Sequence, residues 1–296
     1  MKILFTADLH LVRATQERTL SKVQEWIARH RPDALVVAGD LSSAQQAGDT
    51  LKGLRDCFPE GQIAVCLGNH DFWVLDDSRR EVASLAAVID RYWTPAAKSV
   101  DVVLLDQRNL HLPGLTIVGG YGHYDLGFAV PRLVYDGVRV VEDDYLRGAP
   151  STNSVLRWRD FQFMPSGGDL REIAREQVEG VRQRLSESGD SGTIVVLHTP
   201  PFEQLLGVPS LSAIRPDSSP SPYAFFRAYL GNRLMGELLQ ELGNGLLAVV
   251  CGHTHRAAGP MDLGGSIGIN IGSDYGVPRA ALFCTDSGQF ERLEEG

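Results

Sequence analysis

The sequence predicts an α/β protein, because short aliphatic and β-branched runs alternate along it with longer segments of helical period. A second observation is that polar residues repeatedly follow the apolar runs directly, as they do where strands end in functional loops. At 296 residues, 43% of them hydrophobic, the chain can bury a large core, either as one elaborated domain or as two smaller ones.

The alternation allows the elements to be assigned in order along the chain. The segments predicted as strands are residues 2–7, 34–38, 62–67, 102–105, 115–118, 193–197, 247–251, 267–271 and 280–284. The segments predicted as helices are residues 15–28, 78–91, 170–186 and 223–242. The third helix follows Gly-Gly-Asp, which makes Asp169 a candidate N-cap.

Two stretches interrupt this alternation. Residues 121–169 carry many aromatic and charged side chains without a clean period, and residues 199–222 are rich in Pro and Ser. Loops of this length are uncommon unless they have a function or are disordered. Each stretch is a candidate wall of a substrate pocket, and a solvated insertion is an equally good interpretation of each.

Charge and cysteine usage narrow the class of protein. The 28 Lys and Arg against 37 Asp and Glu give a net charge of −9, which disfavours a nucleic-acid partner because phosphate contacts need clustered cations. The four cysteines lack C-x-x-C spacing and three lie in strand-like runs, so we expect buried thiols and a cytoplasmic localisation. No apolar run could cross a bilayer, and the N-terminal segment turns polar after five residues, so neither membrane insertion nor a signal peptide is expected.

Potential metal ligands follow the predicted strands, at the edge where α/β sheets bind their ligands. They are Asp8, His10, Asp40, Asn69, His198, His253 and His255. Glycines next to three of these residues allow tight turns and close approach of the backbone. Each motif alone is weak, but their accumulation at successive strand ends disfavours chance.

The residue types indicate the kind of metal. Carboxylate, amide and imidazole groups together suit divalent transition metals such as Mn, Fe, Zn or Co. Alternation within the extended segments D-x-H and H-x-H points their outer side chains the same way, as binding to one metal centre or to two adjacent centres requires. Two cations about 3.5–4 Å apart can hold a phosphoryl group between them and generate hydroxide at neutral pH.

The order D-L-H, G-D, G-N-H-D, strand-end His and G-H-T-H resembles the motifs of the calcineurin-like metallophosphoesterase superfamily, and D-L-H-L is closer to its bacterial small-phosphoesterase branch. The resemblance implies a four-layer αββα fold, a central β-sandwich of mixed sheets flanked by helices with the metals at strand carboxyl ends. It implies a single domain over residues 1–296, with residues 121–169 as a possible substrate cap. One implied metal is held by Asp8, His10, Asp40 and His255. Asp40 would bridge to a second, held by Asn69, His198 and His253.

The resemblance also makes His70 the catalytic acid that protonates the leaving alkoxide. An unperturbed histidine titrates near the operating pH, which suits that role. The protein phosphatases of this superfamily carry G-D-x-x-D, whose last Asp orients the catalytic histidine, whereas this chain has Ser43 at that position. Either another group orients His70, with Asp71 the nearest in sequence, or the histidine is less well tuned.

Three further residues are candidates for binding substrate. His123 follows a predicted strand in GGYGHYD, and Arg157 and Trp158 lie in the irregular stretch 121–169. Arginine can bind phosphate through two parallel hydrogen bonds, and tryptophan can stack on a ring. A structural role for each is the simpler interpretation.

These features predict a phosphohydrolase with two divalent or trivalent metal ions, Mn favoured over Fe, Zn or Co. A hydroxide bridging the metals would attack phosphorus while His70 protonates the leaving group. The expected substrate is a small phosphorylated compound, a phosphodiester rather than a monoester or pyrophosphate, because an alkoxide leaving group gains most from a positioned acid. The alternatives are a non-catalytic metal-binding scaffold of the same fold and a nuclease.

Overall fold

The computed structural model describes residues 1–153, 155–165, 168–189, 191–211, 222–242 and 245–293. Two six-stranded sheets dominate these residues, with a two-stranded ribbon beside them. The α-helices are α1 (Gln16–His30), α2 (Ala47–Cys57), α3 (Leu85–Val88), α4 (Thr94–Ser99), α5 (Glu142–Leu146), α6 (Asp160–Phe163), α7 (Leu170–Ser186), α8 (Pro222–Phe226) and α9 (Arg233–Glu241). None of the helices in the described part of the chain is long and apolar enough to cross a membrane.

The first sheet combines parallel and antiparallel pairing. In spatial order its strands are β14 (Gln289–Leu293), β13 (Ala280–Cys284), β1 (Lys2–Thr6), β2 (Ala34–Ala38), β3 (Gln62–Cys66) and β4 (Val103–Leu104). Strands β1 to β4 are parallel, while β13 pairs antiparallel with β1 and β14 antiparallel with β13. The parallel strands therefore bring the loops after β1, β2 and β3 to one edge of the sheet.

The second sheet is also mixed. In spatial order its strands are β11 (Ala258–Asp262), β12 (Ile267–Asn270), β10 (Leu246–Cys251), β9 (Gly192–Leu197), β6 (Leu115–Gly120) and β5 (Leu110–Leu112). The four central strands are parallel, and the edge strands β11 and β5 are antiparallel to their neighbours. The ribbon consists of β7 (Val134–Tyr135) and β8 (Val138–Arg139).

Alternating side chains along the strands build a four-layer sandwich. One face of each sheet contributes to a shared core, in which Phe5 and Val36 of the first sheet belong to one buried cluster with Ile194 and Val250 of the second. The outer face of the first sheet packs against α1 and α2, and that of the second against α7 and α9. The predicted αββα arrangement is therefore confirmed.

Two predicted helices are divided in the structure. The segment predicted as 78–91 contains a 3₁₀ turn, Asp77–Glu81, and then α3, which Ser84 caps and which continues through a π turn into α4. The segment predicted as 223–242 is broken at Asn232, whose extended backbone and side chain instead form the N-cap of α9. The N-cap predicted at Asp169 is confirmed, because its side chain accepts a hydrogen bond from the amide of Arg171.

The described part of the irregular stretch 121–169 contains β7, β8, α5 and α6. Its apolar side chains form a separate buried cluster, in which Tyr124 and Tyr145 pack with Phe225 and Tyr229 from the segment before α9. The Tyr229 hydroxyl donates to the carbonyl of Tyr145 at 2.7 Å. This stretch is thus a packed element of the fold that lies against the segment 222–230. Of the second irregular stretch, residues 212–221 lie outside the described residues.

Candidate metal centre

The predicted ligands lie just beyond the strand ends, in loops with an unusual backbone. Five of them adopt positive φ angles, between 40° and 71°: Asp8, His10, Asp40, His253 and His255. Non-glycine residues occupy this left-handed region at an energetic cost, and such strain concentrates at functional sites. The expectation that D-x-H and H-x-H are extended is therefore wrong: β1 ends at Thr6, and the outer residues of both motifs have left-handed backbone.

The first cluster gathers ligand atoms of Asp8, His10, Asp40 and His255, all within 4.8 Å of one another. The Nε2 atoms of His10 and His255 lie 3.3 Å apart, and His10 Nε2 is 3.7 Å from Asp40 Oδ2. The Nδ1 atom of His255 donates to Asp274 Oδ1 at 3.1 Å. Because the ring is neutral, its Nε2 atom carries no proton, and its lone pair can bind a cation in the cluster.

The second cluster adjoins the first at Asp40. His198 Nδ1 donates to the carbonyl of Ala38, and His253 Nε2 donates to the carbonyl of Tyr229, at 3.0 and 2.9 Å. In the neutral rings the remaining nitrogens, His198 Nε2 and His253 Nδ1, are therefore acceptors, yet they lie 3.1 Å apart.

Further acceptors converge on the same point. Asn69 Oδ1 lies 3.0 Å from each of these two nitrogens, and Asp40 Oδ1 lies 3.3 Å from His198 Nε2. Four acceptor atoms therefore meet with no N–H group directed among them, an arrangement that a cation stabilises.

The burial and protonation of the carboxylates and imidazoles in the two clusters also fit bound cations. Asp8 is fully buried; its Oδ1 accepts from the amide of His253 at 2.8 Å, but Oδ2 has no hydrogen-bond partner among the described residues. Burial raises the pKa of both Asp8 and Asp40 well above the ordinary value, and the negative charge of Asp71 raises them further. Burial lowers the pKa of His10 and His198 well below the ordinary range, so both rings are neutral and able to bind metal. An unpaired buried carboxylate oxygen beside neutral imidazoles fits a bound cation.

Two glycines make room for this packing. A Cβ atom on Gly68 would overlap the carboxylate of Asp40, and one on Gly252 would overlap that of Asp8. The G-N-H-D and G-H-T-H motifs thus need glycine because the loops pass directly over the carboxylates.

Asp71 stabilises the loops and does not orient His70. Its carboxylate accepts from the amides of Leu41, Ser42 and Gly68 at 2.9, 2.9 and 2.7 Å. Burial raises the pKa of Asp71 to about 7, and these three hydrogen bonds oppose the rise. Asp71, the residue nearest in sequence that could have oriented His70, therefore links the loops after β2 and β3 instead.

His70 is held mainly by aromatic contacts. Its ring lies flat on Trp73, with centroids 3.7 Å apart, and meets the ring of His10 edge-on at 4.7 Å. The Tyr275 hydroxyl is 3.4 Å from His70 Nε2, and Asp40 Oδ2 is 4.0 Å from the same atom. Burial lowers the pKa of His70 to about 3, so the imidazole is neutral in the substrate-free protein.

A cavity of about 690 Å³ opens above the two clusters. Arg157 and Trp158 line it, the arginine exposed and the tryptophan half-buried, with Trp158 Nε1 donating to Asp160 Oδ2 at 2.8 Å. His123 does not line it: this buried side chain faces a neighbouring cavity of about 400 Å³ and donates from Nδ1 to the carbonyl of Tyr124. Of the three substrate-binding candidates, the structure brings two to the cavity.

Sequence reasoning missed several residues at this site. Asp160, from the irregular stretch, accepts from the side chains of Asn69 and Trp73. No motif marks it. Asp274 and Tyr275 lie in the segment INIGSDYG, where Asp274 Oδ1 accepts from His255 Nδ1 and the Tyr275 hydroxyl lies 3.4 Å from His70 Nε2.

Solved structures resemble the chain over nearly its whole length. One crystal structure covers 100% of this chain and 99% of its own, at 14% identity and a TM-score of 0.58. The match to the protein TT1561 of Thermus thermophilus covers 99% of this chain and 97% of that protein, at 14% identity and a TM-score of 0.47. The match to a dimetal phosphatase from Danio rerio covers 95% of this chain and 92% of that protein, at 15% identity and a TM-score of 0.49. At such identities the first likeness shows a shared fold and no more.

Comparison with curated proteins found no match. The sequence profile of the calcineurin-like phosphoesterases, in contrast, matches residues 1–257, which is most of the chain and includes all the proposed ligands. The motifs, the fold and this match agree, and the chain belongs to the calcineurin-like phosphoesterase family.

Proposed function

We propose that this metal-dependent phosphoester hydrolase holds two metal ions and cleaves phosphodiesters. Its family supports metal-dependent hydrolysis. The observation that carries the dinuclear proposal is the pair of adjoining ligand clusters, which share Asp40. A single carboxylate between two sets of neutral imidazoles fits one metal ion on each side.

The assignment of ligands follows the two clusters. Asp8, His10, Asp40 and His255 would hold one ion, and Asp40, Asn69, His198 and His253 the other. Bound ions of this kind lower the pKa of coordinated water and neutralise charge developing on the phosphoryl oxygens. Oxygen and nitrogen donors together suit Mn, Fe, Zn or Co, and we favour Mn.

The protein's own contribution to the proton transfer centres on His70. Its Nε2 atom lies at the cavity wall, 4.0 Å from the shared carboxylate Asp40, so it can reach a leaving oxygen on a phosphoryl group bound there. The imidazole is neutral in the substrate-free protein, but an anionic phosphodiester beside it favours the imidazolium. Trp73 and Tyr275 keep the ring plane fixed, so the proton is presented in one direction.

A preference for diesters follows from this acid. The alkoxide that leaves a diester is a poor leaving group, and protonation by His70 lowers that barrier most. Arg157 and Arg159 are exposed at the cavity mouth, where a monoanionic phosphate could pair with a guanidinium.

The architecture supports a single catalytic domain with a built-in cap. Residues 121–169 contribute Arg157, Trp158 and Asp160 to the cavity wall, and the Val74 amide after β3 donates to the carbonyl of Phe163 at 3.0 Å. The partner we expect is a small phosphorylated substrate, since only two exposed cations line the described cavity. The four free thiols are compatible with a reducing cytoplasm.

The test is a substrate panel assayed on the Mn-reconstituted protein. It contains alkyl phosphodiesters, cyclic nucleotides, nucleoside diphosphate conjugates, the matching monoesters and oligonucleotides. We expect kcat/KM for small diesters to exceed that for matched monoesters by about tenfold or more. A variant with Arg157→Ala should raise KM for the preferred diester. Equal or better hydrolysis of monoesters contradicts the diester preference, and steeply salt-dependent cleavage of oligonucleotides alone supports a nuclease instead.

A further inference from the structure

Apolar side chains surround the mouth of the cavity above the metal clusters. Four large hydrophobic residues that line it are between 44% and 70% exposed: Val12, Leu75, Tyr223 and Tyr275. Single exposed apolar residues are ordinary, but a group of them around one cavity marks a surface that binds an apolar partner.

The deeper walls of the same cavity are flat rings held in place. Trp158 lies flat on Tyr229, with centroids 5.0 Å apart and planes at 11°. Trp73 contacts the rings of His70 and Phe163, whose centroids are 3.7 and 4.8 Å away. Rings that are already ordered lose little entropy when a flat ligand packs against them.

Charge at the cavity identifies the other half of the ligand. Apart from the proposed metal ligands and His70, the charged residues that line its described part are Arg157, Arg159 and Asp160. The two arginines are exposed, while the carboxylate is only 2% exposed and committed to hydrogen bonds. A ligand that is anionic near the metals and apolar beyond them complements this surface.

We propose that the substrate is a phosphodiester whose leaving group carries an aromatic ring, bound between Leu75 and the aromatic wall. This rests on the proposed function. The leaving group lies on the side of the acid His70, and Trp73 and Leu75 follow that histidine along the chain into the cavity wall. The cavity volume of about 690 Å³ accommodates a bicyclic ring together with the phosphate.

Methyl phosphodiesters with naphthylmethyl, cyclohexylmethyl or ethyl as the second ester group test this proposal. The rate is measured as release of the second alcohol, not of methanol, and the three alcohols are similarly acidic, so the chemistry of the leaving group is matched. We expect kcat/KM for the naphthylmethyl ester to exceed that for the ethyl ester about tenfold or more. It should exceed that for the cyclohexylmethyl ester about threefold or more, because flat rings gain beyond their buried area.

Two variants test whether the apolar residues at the mouth of the cavity cause this preference. Leu75→Ser should reduce the ratio of kcat/KM for the naphthylmethyl ester to kcat/KM for the ethyl ester by about threefold. Leu247→Ser is the matched control, because Leu247 is 43% exposed on β10 and does not line the cavity. Its ratios should equal those of the wild type.

Several outcomes overturn the proposal. Equal kcat/KM for the naphthylmethyl and ethyl esters removes the apolar subsite, and equal values for the naphthylmethyl and cyclohexylmethyl esters remove the preference for a ring. If none of the esters is hydrolysed, the proposed function fails. In that case binding of naphthylmethyl against cyclohexylmethyl methylphosphonate, followed by tryptophan fluorescence, decides the subsite by itself.

An independent observation concerns the buried carboxylate of Asp160, at the start of α6. Its Oδ1 accepts from Asn69 Nδ2 at 3.0 Å and from Trp73 Nε1 at 2.7 Å. Its Oδ2 accepts from Trp158 Nε1 at 2.8 Å and from the Tyr124 hydroxyl at 3.3 Å. One side chain from the cap therefore contacts a proposed metal ligand and three aromatic residues.

We infer that Asp160 is a positioning residue that directs Asn69 Oδ1 toward the metal. A side-chain amide has two ends of similar shape, and only its oxygen can bind a cation. Because the amide nitrogen donates to Asp160, the oxygen must face His198 and His253. Loss of a partner that orients a ligand lowers metal affinity about 10–100-fold.

A double-mutant cycle on metal affinity separates this role from a merely structural one. In the wild-type background, Asp160→Asn should weaken Mn binding about tenfold or more, measured by calorimetric titration of the metal-free protein. In an Asn69→Asp background the same change should have little effect or strengthen binding, because both oxygens of a carboxylate can bind metal and need no such partner. Trp158→Phe is the control, since it removes a donor to Oδ2 without touching Asn69.

Each result of the cycle is informative. An equal loss of affinity from Asp160→Asn in both backgrounds, or an equal loss in Trp158→Phe, assigns Asp160 to packing alone and overturns the inference. Unchanged Mn affinity in Asp160→Asn overturns it as well.

Discussion

Replacing Asp40 with asparagine is expected to lower metal-dependent diester hydrolysis by more than about a hundredfold. Loss of a residue that only orients a metal ligand costs about 10–100-fold, and loss of a ligand should cost more. Asp40 is the residue shared by the two clusters, 3.7 Å from His10 and 3.3 Å from His198. An amide keeps the shape of the side chain and can still accept from the His70 amide, but it lacks the charge that two cations require.

The stability of the metal-free protein should change in the opposite direction. Burial, with the negative charges of Asp71 and Asp8, raises the pKa of Asp40 well above its ordinary value, so its ionised form destabilises the fold at neutral pH. The unfolded carboxyl releases its proton at lower pH than the folded one, and this cost is therefore present above the unfolded pKa. Metal-free Asp40→Asn should melt at the same temperature as metal-free wild type or higher.

Adding Mn provides the contrast. It should raise the melting temperature of the wild type and have much less effect on Asp40→Asn, because only the wild type binds the ions tightly. Asp56→Asn on the exposed end of α2 is the control and should behave as the wild type does. Full hydrolysis by a folded Asp40→Asn protein would exclude Asp40 as a metal ligand.

Replacing His70 with glutamine is expected to lower kcat by about 10²–10⁴ for diesters with alkyl leaving groups. The same change should cost much less for esters of acidic phenols, which depart without a proton. Metal content should stay at the wild-type value, because His70 is not a proposed ligand and its Nε2 faces the cavity.

The measurement is a plot of log kcat against the acidity of the departing alcohol. The wild type should show a shallow dependence and His70→Gln a steep one, because only the wild type protonates the leaving oxygen. An equal loss for alkyl and phenyl esters would give His70 a role in binding or packing, beside Trp73, and not in proton transfer.

Much of the fold follows from local pattern. The nine predicted strands are all present, because fully buried parallel strands such as β2 and β9 read as continuous apolar runs. Edge strands were missed where they break that pattern: β11 contains Gly-Pro, and β14 shows only a partial alternation. Helix α2 was missed because Gly48 and Gly53 lower its helical propensity, although its apolar residues lie on one buried face.

The candidate site divides in the same way. Short motifs at strand ends identified the proposed ligands, because topology alone brings those ends together. The residues that support them come from distant segments: Asp160 is 91 positions from Asn69, and Tyr275 is 205 positions from His70. No local pattern encodes such pairs, and the aromatic contacts that hold His70 could therefore not be predicted. The absence of a carboxylate at Ser43, in contrast, is visible in the sequence itself.

The central claim, two metal ions sharing Asp40, is tested most directly by counting and characterising the metal. Metal-free protein is reconstituted with Mn, freed of excess ion and examined by elemental analysis and electron paramagnetic resonance. The account predicts about two Mn ions per chain with an exchange-coupled spectrum, because one carboxylate would bridge them. It also predicts that the coupling disappears in Asp40→Asn. One ion or none per chain, or two ions without coupling in the wild type, would contradict it.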